Sequence, residues 1–273
     1  MISKKYGIKP DPSKDQHFLT NPDIIRKIIS LSEIKQKDRV LEIGAGVGTL
    51  TEHLAKTKAK IIAVEMDRGF KKVLRKLKFK NLEIVYENIL GVIDTLDFNK
   101  VVSNTPYSIC EPLLNKLFGR DFSLAVLSIP EKFYRRISSK PGEELYSLLT
   151  LKTNVFFKVT FKFRIPREDF SPVPKTETAV VLLKPLSKKD YEKTPERFVF
   201  KEIFLQGKKK LKNSLAEAII NLNKKILSKD FTKKMSKEVI KNMRLDKELL
   251  KKMTKEMRLE DFERLKEKFT PFS

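Results

Sequence analysis

The stretch Leu41-Glu42-Ile43-Gly44-Ala45-Gly46-Val47-Gly48-Thr49-Leu50 joins a short apolar run to three glycines at alternate positions and then to a helix-forming segment. A strand, a tight turn and a helix start in immediate succession open a wound α/β sheet, and such a turn brings backbone N–H groups close to a ligand. A dinucleotide-binding turn needs its third glycine one place later than Gly48. The spacing Glu42-x-Gly44-x-Gly46-x-Gly48 fits instead the turn that holds the amino-acid end of S-adenosylmethionine. Glu65 closes the next apolar run 17 residues after Gly48, where a carboxylate can accept from both ribose hydroxyls. The plainer reading of Glu65 is a solvated acid at a strand end.

On either side the pattern continues. Val40–Ile43, Ile61–Glu65, Leu82–Tyr86, Val101–Ser103 and Leu124–Ser128 read as strands, with helical spacing in Leu50–Ala55, Phe70–Leu77 and Pro112–Phe118. Val155–Phe163 alternates and Ala179–Leu183 is a continuous apolar run, which together predict an antiparallel ending on a parallel sheet. Upstream, Asn21-Pro22-Asp23 has a capping side chain, a proline for the first helical position and a first-turn acid, so a helix with Ile24, Ile25, Ile28, Ile29 and Leu31 as its apolar stripe is expected. Residues 1–20 lack periodicity and read as an arm ordered only where it touches something.

With 273 residues, two domains are expected: 1–185 as the wound sheet with its arm, and 186–273 as a smaller helical domain. The boundary falls at about 185–195, where strand-like runs stop. The last 88 residues carry 25 Lys+Arg against 14 Asp+Glu, a net +11, while the 185 before them carry +12, so the tail is about twice as basic per residue. Overall, 58 Lys+Arg against 35 Asp+Glu give +23. This favours a polyanionic partner, nucleic acid first, over a small neutral ligand. A lysine-rich thermophile surface is the alternative. No apolar run reaches the roughly 20 residues of a membrane helix and Met1–Pro10 has no signal-peptide core, so a cytosolic protein with no membrane association, acting as a monomer, is expected. One cysteine, Cys110, with only His17 and His53, leaves neither a disulfide framework nor a metal-binding cluster.

Asn104-Thr105-Pro106-Tyr107 follows the fourth strand, at the carboxyl edge where open sheets bind ligands. Its carboxamide oxygen, together with a backbone carbonyl, can accept both hydrogens of an exocyclic amine and draw the nitrogen lone pair toward a methyl donor. Tyr107 can stack on the base. An ordinary turn is the alternative for a lone Asn-x-Pro-Tyr. Cys110 raises a second chemistry, thiolate attack on a pyrimidine, against the simpler role of a small residue packing a helix.

These residues together resemble the ribosomal RNA adenine dimethyltransferases. The resemblance spans most of the chain: Asp15-Gln16-His17-Phe18-Leu19, the glycine turn, Asn104–Tyr107, Phe170-Ser171-Pro172-Val173-Pro174-Lys175 before Ala179-Val180-Val181, and Gln206–Leu215 with its lysines. Asp15 is similar to the archaeal and eukaryotic branch. The resemblance implies a Rossmann-like methyltransferase domain with a small C-terminal helical domain, S-adenosylmethionine as cofactor, and dimethylation of adenosine N6, on two adjacent adenosines, in small-subunit ribosomal RNA during ribosome biogenesis. It implies cofactor contacts at His17, Leu19, Gly44, Gly46, Glu65, Asn88 and Asn104. Phe170 would stack on the target base opposite Tyr107, with core packing as its alternative role. A basic helix with Lys208, Lys209, Lys210 and Lys212 would grip RNA. Glu87-Asn88-Ile89-Leu90 departs from the family's Gly-Asp-Ala-Leu, and an amide oxygen is a weaker acceptor than a carboxylate. Thr105, Pro130, Lys132 and Leu148 also depart, which bears on target choice. A ribosome-assembly factor of the same fold without turnover, and a large-subunit methylase, stand as the alternatives.

Overall fold

The computed structural model describes residues 7–269; the first six residues of the arm lie outside the described residues. The chain divides into two compact units, one comprising residues up to Arg135 with Lys158–Pro185, the other Arg136–Phe157 with residues from Leu186 onward. The first unit ends at Pro185, whereas the segment 136–157, expected in the first domain, groups with the second. The reason is packing. Helix Leu148–Phe156 buries Leu149, Val155 and Phe156, contacts helix Pro195–Leu205, and receives the Tyr191 hydroxyl on the Val155 carbonyl at 3.0 Å. Composition cannot assign an apolar helix to one unit rather than another.

The described residues form nine strands: β1 Phe18–Leu19, β2 Arg39–Ile43, β3 Lys60–Val64, β4 Leu82–Val85, β5 Lys100–Asn104, β6 Leu124–Pro130, β7 Phe157–Ile165, β8 Phe170–Ser171 and β9 Thr178–Pro185. Seven form one sheet in the order β4-β3-β2-β5-β6-β9-β7. Strands β2 to β6 pair in parallel, and β9 runs antiparallel to β6 with Ala125 opposite Leu183. This is the expected parallel sheet with an antiparallel ending. Residues Val155 and Phe156 finish a helix instead of starting β7. Phe70–Leu77 forms only a 3-10 turn and one short helix, Lys71–Leu74.

Asn21 caps helix Pro22–Leu31 through its side-chain oxygen, which accepts from Asp23 and Ile24. Ile25 and Ile28 are fully buried while Ile24, Ile29 and Leu31 are partly buried, so the stripe reads as expected. The arm is ordered because β1 pairs antiparallel with β8, Phe18 opposite Ser171 and Leu19 opposite Phe170. Successive strand residues face opposite ways: Leu19 joins the core around Ile25, Val102 and Val180, and Phe18 packs with Ala45, Val47 and Phe70 beside the glycine turn. Among the described residues no helix is long and apolar enough to cross a membrane.

Glu42 is the exception within this core. It is 1% exposed, its Oε2 has no hydrogen-bond partner among the described residues, and burial, reinforced by the nearby Glu65 charge, pushes its carboxyl up to about 8. The folded state holds this proton more tightly than the unfolded chain. Stability is therefore highest below the unfolded carboxyl pKa, falls as pH rises between that value and about 8, and levels off above. Glu42→Gln keeps the shape and removes the ionisation. Urea titrations at pH 5 and pH 8 should show a wild-type loss, relative to the variant, on the order of 3 kcal/mol; parallel losses in both proteins would show that Glu42 is not held neutral.

Candidate functional site

β2 and β5 are neighbours, yet the chain leaves them toward opposite sides of the sheet, β2 toward β3 and β5 toward β6. Open α/β sheets bind ligands outside the carboxyl ends of strands at such a switch point. A cavity of about 270 Å³ lies there, lined by the arm, the glycine turn, Glu65 to Asp67, Asn88 and Asn104.

The turn after β2 has Gly44 at φ +74° and Gly46 at φ +55°, the left-handed region that glycine tolerates. A Cβ on Gly46 would meet the Phe18 ring at 2.6 Å, and one on Gly44 the Pro106 ring at 3.0 Å. The glycines thus admit the arm and the Asn104–Tyr107 turn as well as bringing backbone to the cavity. Gly46 N–H donates to Glu65 Oε2 at 2.7 Å, and Asp67 N–H donates to Oε1 at 2.7 Å. These two bonds fix the carboxylate, and each oxygen retains a second lone pair. Burial raises the Glu65 pKa, and the two amide donors oppose the rise. Glu65 is thus a buried, oriented acceptor, not a solvated strand-end acid.

At the end of β5, the Asn104 side-chain nitrogen donates to the His17 carbonyl at 3.0 Å. Its Oδ1 is buried and has no partner among the described residues. The arm thereby engages the amide's donor end and leaves its acceptor end without a protein donor. The His17 Nδ1–H donates to the Pro172 carbonyl at 2.9 Å, and the imidazole stacks on Tyr107 with ring centroids 6.0 Å apart at 27°. The Tyr107 hydroxyl pairs with that of Thr178, and burial raises its pKa. Asp15 Oδ2 accepts from the Ser108 N–H at 2.7 Å, and Gln16 donates to Asp67 at 2.9 Å. Asp15, Gln16, Asp67 and Thr178 were not expected to serve the site. Asp15 and Gln16 stand inside the arm motif; Thr178, 71 residues from Tyr107, carries no local signal.

Several expected residues take other places. Phe170 is 2% exposed and packs in the core with Leu19, Ile165 and Val180, so its ring does not face Tyr107; the ring that does is His17. Strand pairing at β1–β8 draws Phe170 inward. Leu19 is equally buried and does not line the cavity. Asn88 lines it, but its Oδ1 caps helix Ile89–Val92 by accepting from Leu90 N–H at 3.0 Å. Lys208, Lys209 and Lys210 precede helix Leu211–Asn221, with Lys210 at its N-cap, and only Lys212 is helical. Lys209 pairs with Glu217 at 2.6 Å.

A family model described as ribosomal RNA adenine dimethylase matches residues 9–261. The chain is 38% identical over 218 residues to a probable ribosomal RNA small subunit methyltransferase A of Pyrococcus abyssi, covering 80% of each chain. It is 36% identical over 214 residues to ribosomal RNA small subunit methyltransferase A of Thermotoga neapolitana, covering 78% of this chain and 82% of that one. Among solved structures, a dimethyladenosine transferase from Plasmodium falciparum is 28% identical with a TM-score of 0.61, covering 93% of this chain and 98% of that one. The 23S rRNA methyltransferase ErmE, 21% identical with a TM-score of 0.58 over 93% and 99%, shares the fold.

Cys110 stands beside this site without taking part. It is buried, its Sγ–H donates to the Pro106 carbonyl at 3.6 Å, and burial pushes the thiol up to about 12. The thiolate is the nucleophile, so a buried thiol of this kind is inert. Iodoacetamide at pH 8 should alkylate native protein at least about 100-fold more slowly than the urea-unfolded chain, whose free thiol has a pKa near 8.5. Equal rates measured by mass spectrometry would return Cys110 to the list of nucleophiles.

Proposed function

The chain belongs to the ribosomal RNA adenine dimethylase family, and on that premise we propose that it dimethylates the exocyclic N6 of adenosine in small-subunit ribosomal RNA, using S-adenosylmethionine, in the cytoplasm during subunit assembly. The observation that carries this reading is the buried, unpartnered Asn104 Oδ1 at the carboxyl edge of β5. A buried acceptor without a donor costs about 1–3 kcal/mol, and an exocyclic amine supplies the missing donor.

The cavity fits the cofactor on its own features: a fixed, buried carboxylate at Glu65 and a turn whose backbone lies open to the cavity at Gly44 and Gly46. When bound, S-adenosylmethionine supplies an electrophilic methyl group. Glu65 accepts from the ribose hydroxyls. Gly44 and Gly46 carry backbone against the amino-acid end, and Asn88 adds its remaining acceptor capacity near the adenine.

At the target, Asn104 Oδ1 accepts one amine hydrogen and a carbonyl of the Asn104–Pro106 turn accepts the other. Both bonds favour the tetrahedral nitrogen that forms as the methyl arrives, so they strengthen in the transition state. The proton leaves to water once the nitrogen is cationic, and no side chain is needed as a strong base. Tyr107 offers its ring to the base, which must leave its stack to enter. Catalysis is chiefly a matter of placement.

Asn104→Ala should lower methyl transfer to undermodified small subunits about 100-fold or more, as loss of one placed polar contact does, with S-adenosylmethionine affinity changed only a few-fold. Product mapping by nucleoside mass spectrometry checks both site and extent, and turnover above about a tenth of wild type would remove Asn104 from the chemistry.

Glu65→Ala should weaken S-adenosylmethionine binding by about 2 kcal/mol, the range of hydrogen bonds to charged acceptors. Unchanged affinity in titration calorimetry would take Glu65 out of the cofactor site.

A further inference from the structure

Helices Leu211–Asn221 and Lys233–Asn242 of the second unit line a cleft of about 470 Å³. The first helix buries Leu211, Leu215, Ala218 and Ile219 in the unit's core. Its other face turns Lys212, Ala216 and Ile220 into the cleft, and the second helix contributes Lys233, Lys237 and Ile240. The lining thus combines lysines with small or branched aliphatic side chains.

The charges in this cleft are unbalanced. Lys209 is neutralised by Glu217, whereas Lys212, Lys233 and Lys237 make no ion pair among the described residues. Lys233 and Lys237 stand four apart on one helix face, a spacing at which like charges repel and destabilise a helix. A solvated lysine face normally relieves such repulsion with interspersed acids, and only Glu217, already engaged, lines this one.

Resting on the RNA substrate of the proposed function, we propose that this cleft binds a single-stranded segment of that RNA, with phosphates on Lys212, Lys233 and Lys237 and a base or ribose against Ala216, Ile220 and Ile240. Phosphate contacts account for the lysines under any nucleic acid. The apolar strip favours the single strand, because unpaired bases expose faces that a duplex keeps stacked. RNA contact thus shifts from the Lys208–Lys210 turn toward the helix pair, and recruits Lys233 and Lys237, which lie far from the lysine run in sequence.

The test is the variant Lys212→Gln/Lys233→Gln/Lys237→Gln, titrated with a short labelled single-stranded RNA, a duplex of the same length and a polyglutamate peptide over a range of salt. For the single strand, the slope of log affinity against log salt should flatten by about 2, since each lost phosphate contact accounts for about 0.7. The duplex slope should change less, and S-adenosylmethionine affinity and thermal midpoint should hold. Lys237→Glu alone should weaken single-strand binding in the same direction, as a second variant with one change. An unchanged single-strand slope overturns the proposal, as does an equal loss for the duplex. Lysine-dependent binding of polyglutamate without that of RNA overturns it in favour of an acidic protein. Wild-type protein that methylates small subunits while the triple variant keeps its slope would sink the cleft alone. A lysine-dependent slope in a protein that never methylates small-subunit RNA would sink the proposed reaction and leave the cleft standing.

Discussion

A carboxamide has a donor end and an acceptor end, and the reaction proposed for this site depends on which of them is left without a protein partner. The His17 carbonyl takes the donor end of Asn104, so the arm, not the strand that carries Asn104, decides the matter. That bond requires the arm to be seated, and its seating is distributed: β1 pairs with β8, Asp15 accepts from Ser108, Gln16 reaches Asp67, and Phe18 fills the space that a side chain on Gly46 would occupy. A pre-set acceptor costs no reorganisation when charge develops on the substrate, which is where placed polar groups have their largest effect.

The carboxylates around the glycine turn have divided environments. Glu65 is buried but receives two backbone amides, which support its anionic form against burial. Glu42, one strand inward and deeper, receives no such support, and burial holds it neutral through most of the physiological range. Two buried anions this close would repel, and the difference in amide donors separates their protonation. Cys110 behaves as Glu42 does: burial without a donor to the anion keeps the thiol protonated.

The proposed chemistry and the proposed RNA contact fall to different units of the chain. The first holds every group proposed to touch cofactor or amine; the second holds a tail with a net charge of +11 over 88 residues. The first needs exact distances and rigid strand ends. Counterion release needs only many cations on one accessible surface. These demands suit a sheet edge and a helix pair respectively.

How much of this was legible before the fold was known follows from the range of each interaction. The strand-turn-helix at Leu41–Leu50, the alternation of runs around it, the capped helix at Asn21 and the Asn104 and Glu65 positions are local patterns, set by periodicities and turn chemistry that the chain carries wherever it lies. Residue order alone therefore determined the wound sheet, its antiparallel end and the sheet edge at which the cavity lies. Phe170 shows the limit: an aromatic ring in a proline-rich motif reads equally as a stacking surface or as core, and only the pairing of β8 with β1 sends it into the core. The same holds for Leu19, for Asn88 with its oxygen turned to a helix cap, and for the segment 136–157, which joins the second unit by packing. It holds for Thr178 on Tyr107 and for Lys233 and Lys237 opposite Lys212. These depend on side chains brought together from distant parts of the chain, and no periodicity records which buried faces will meet.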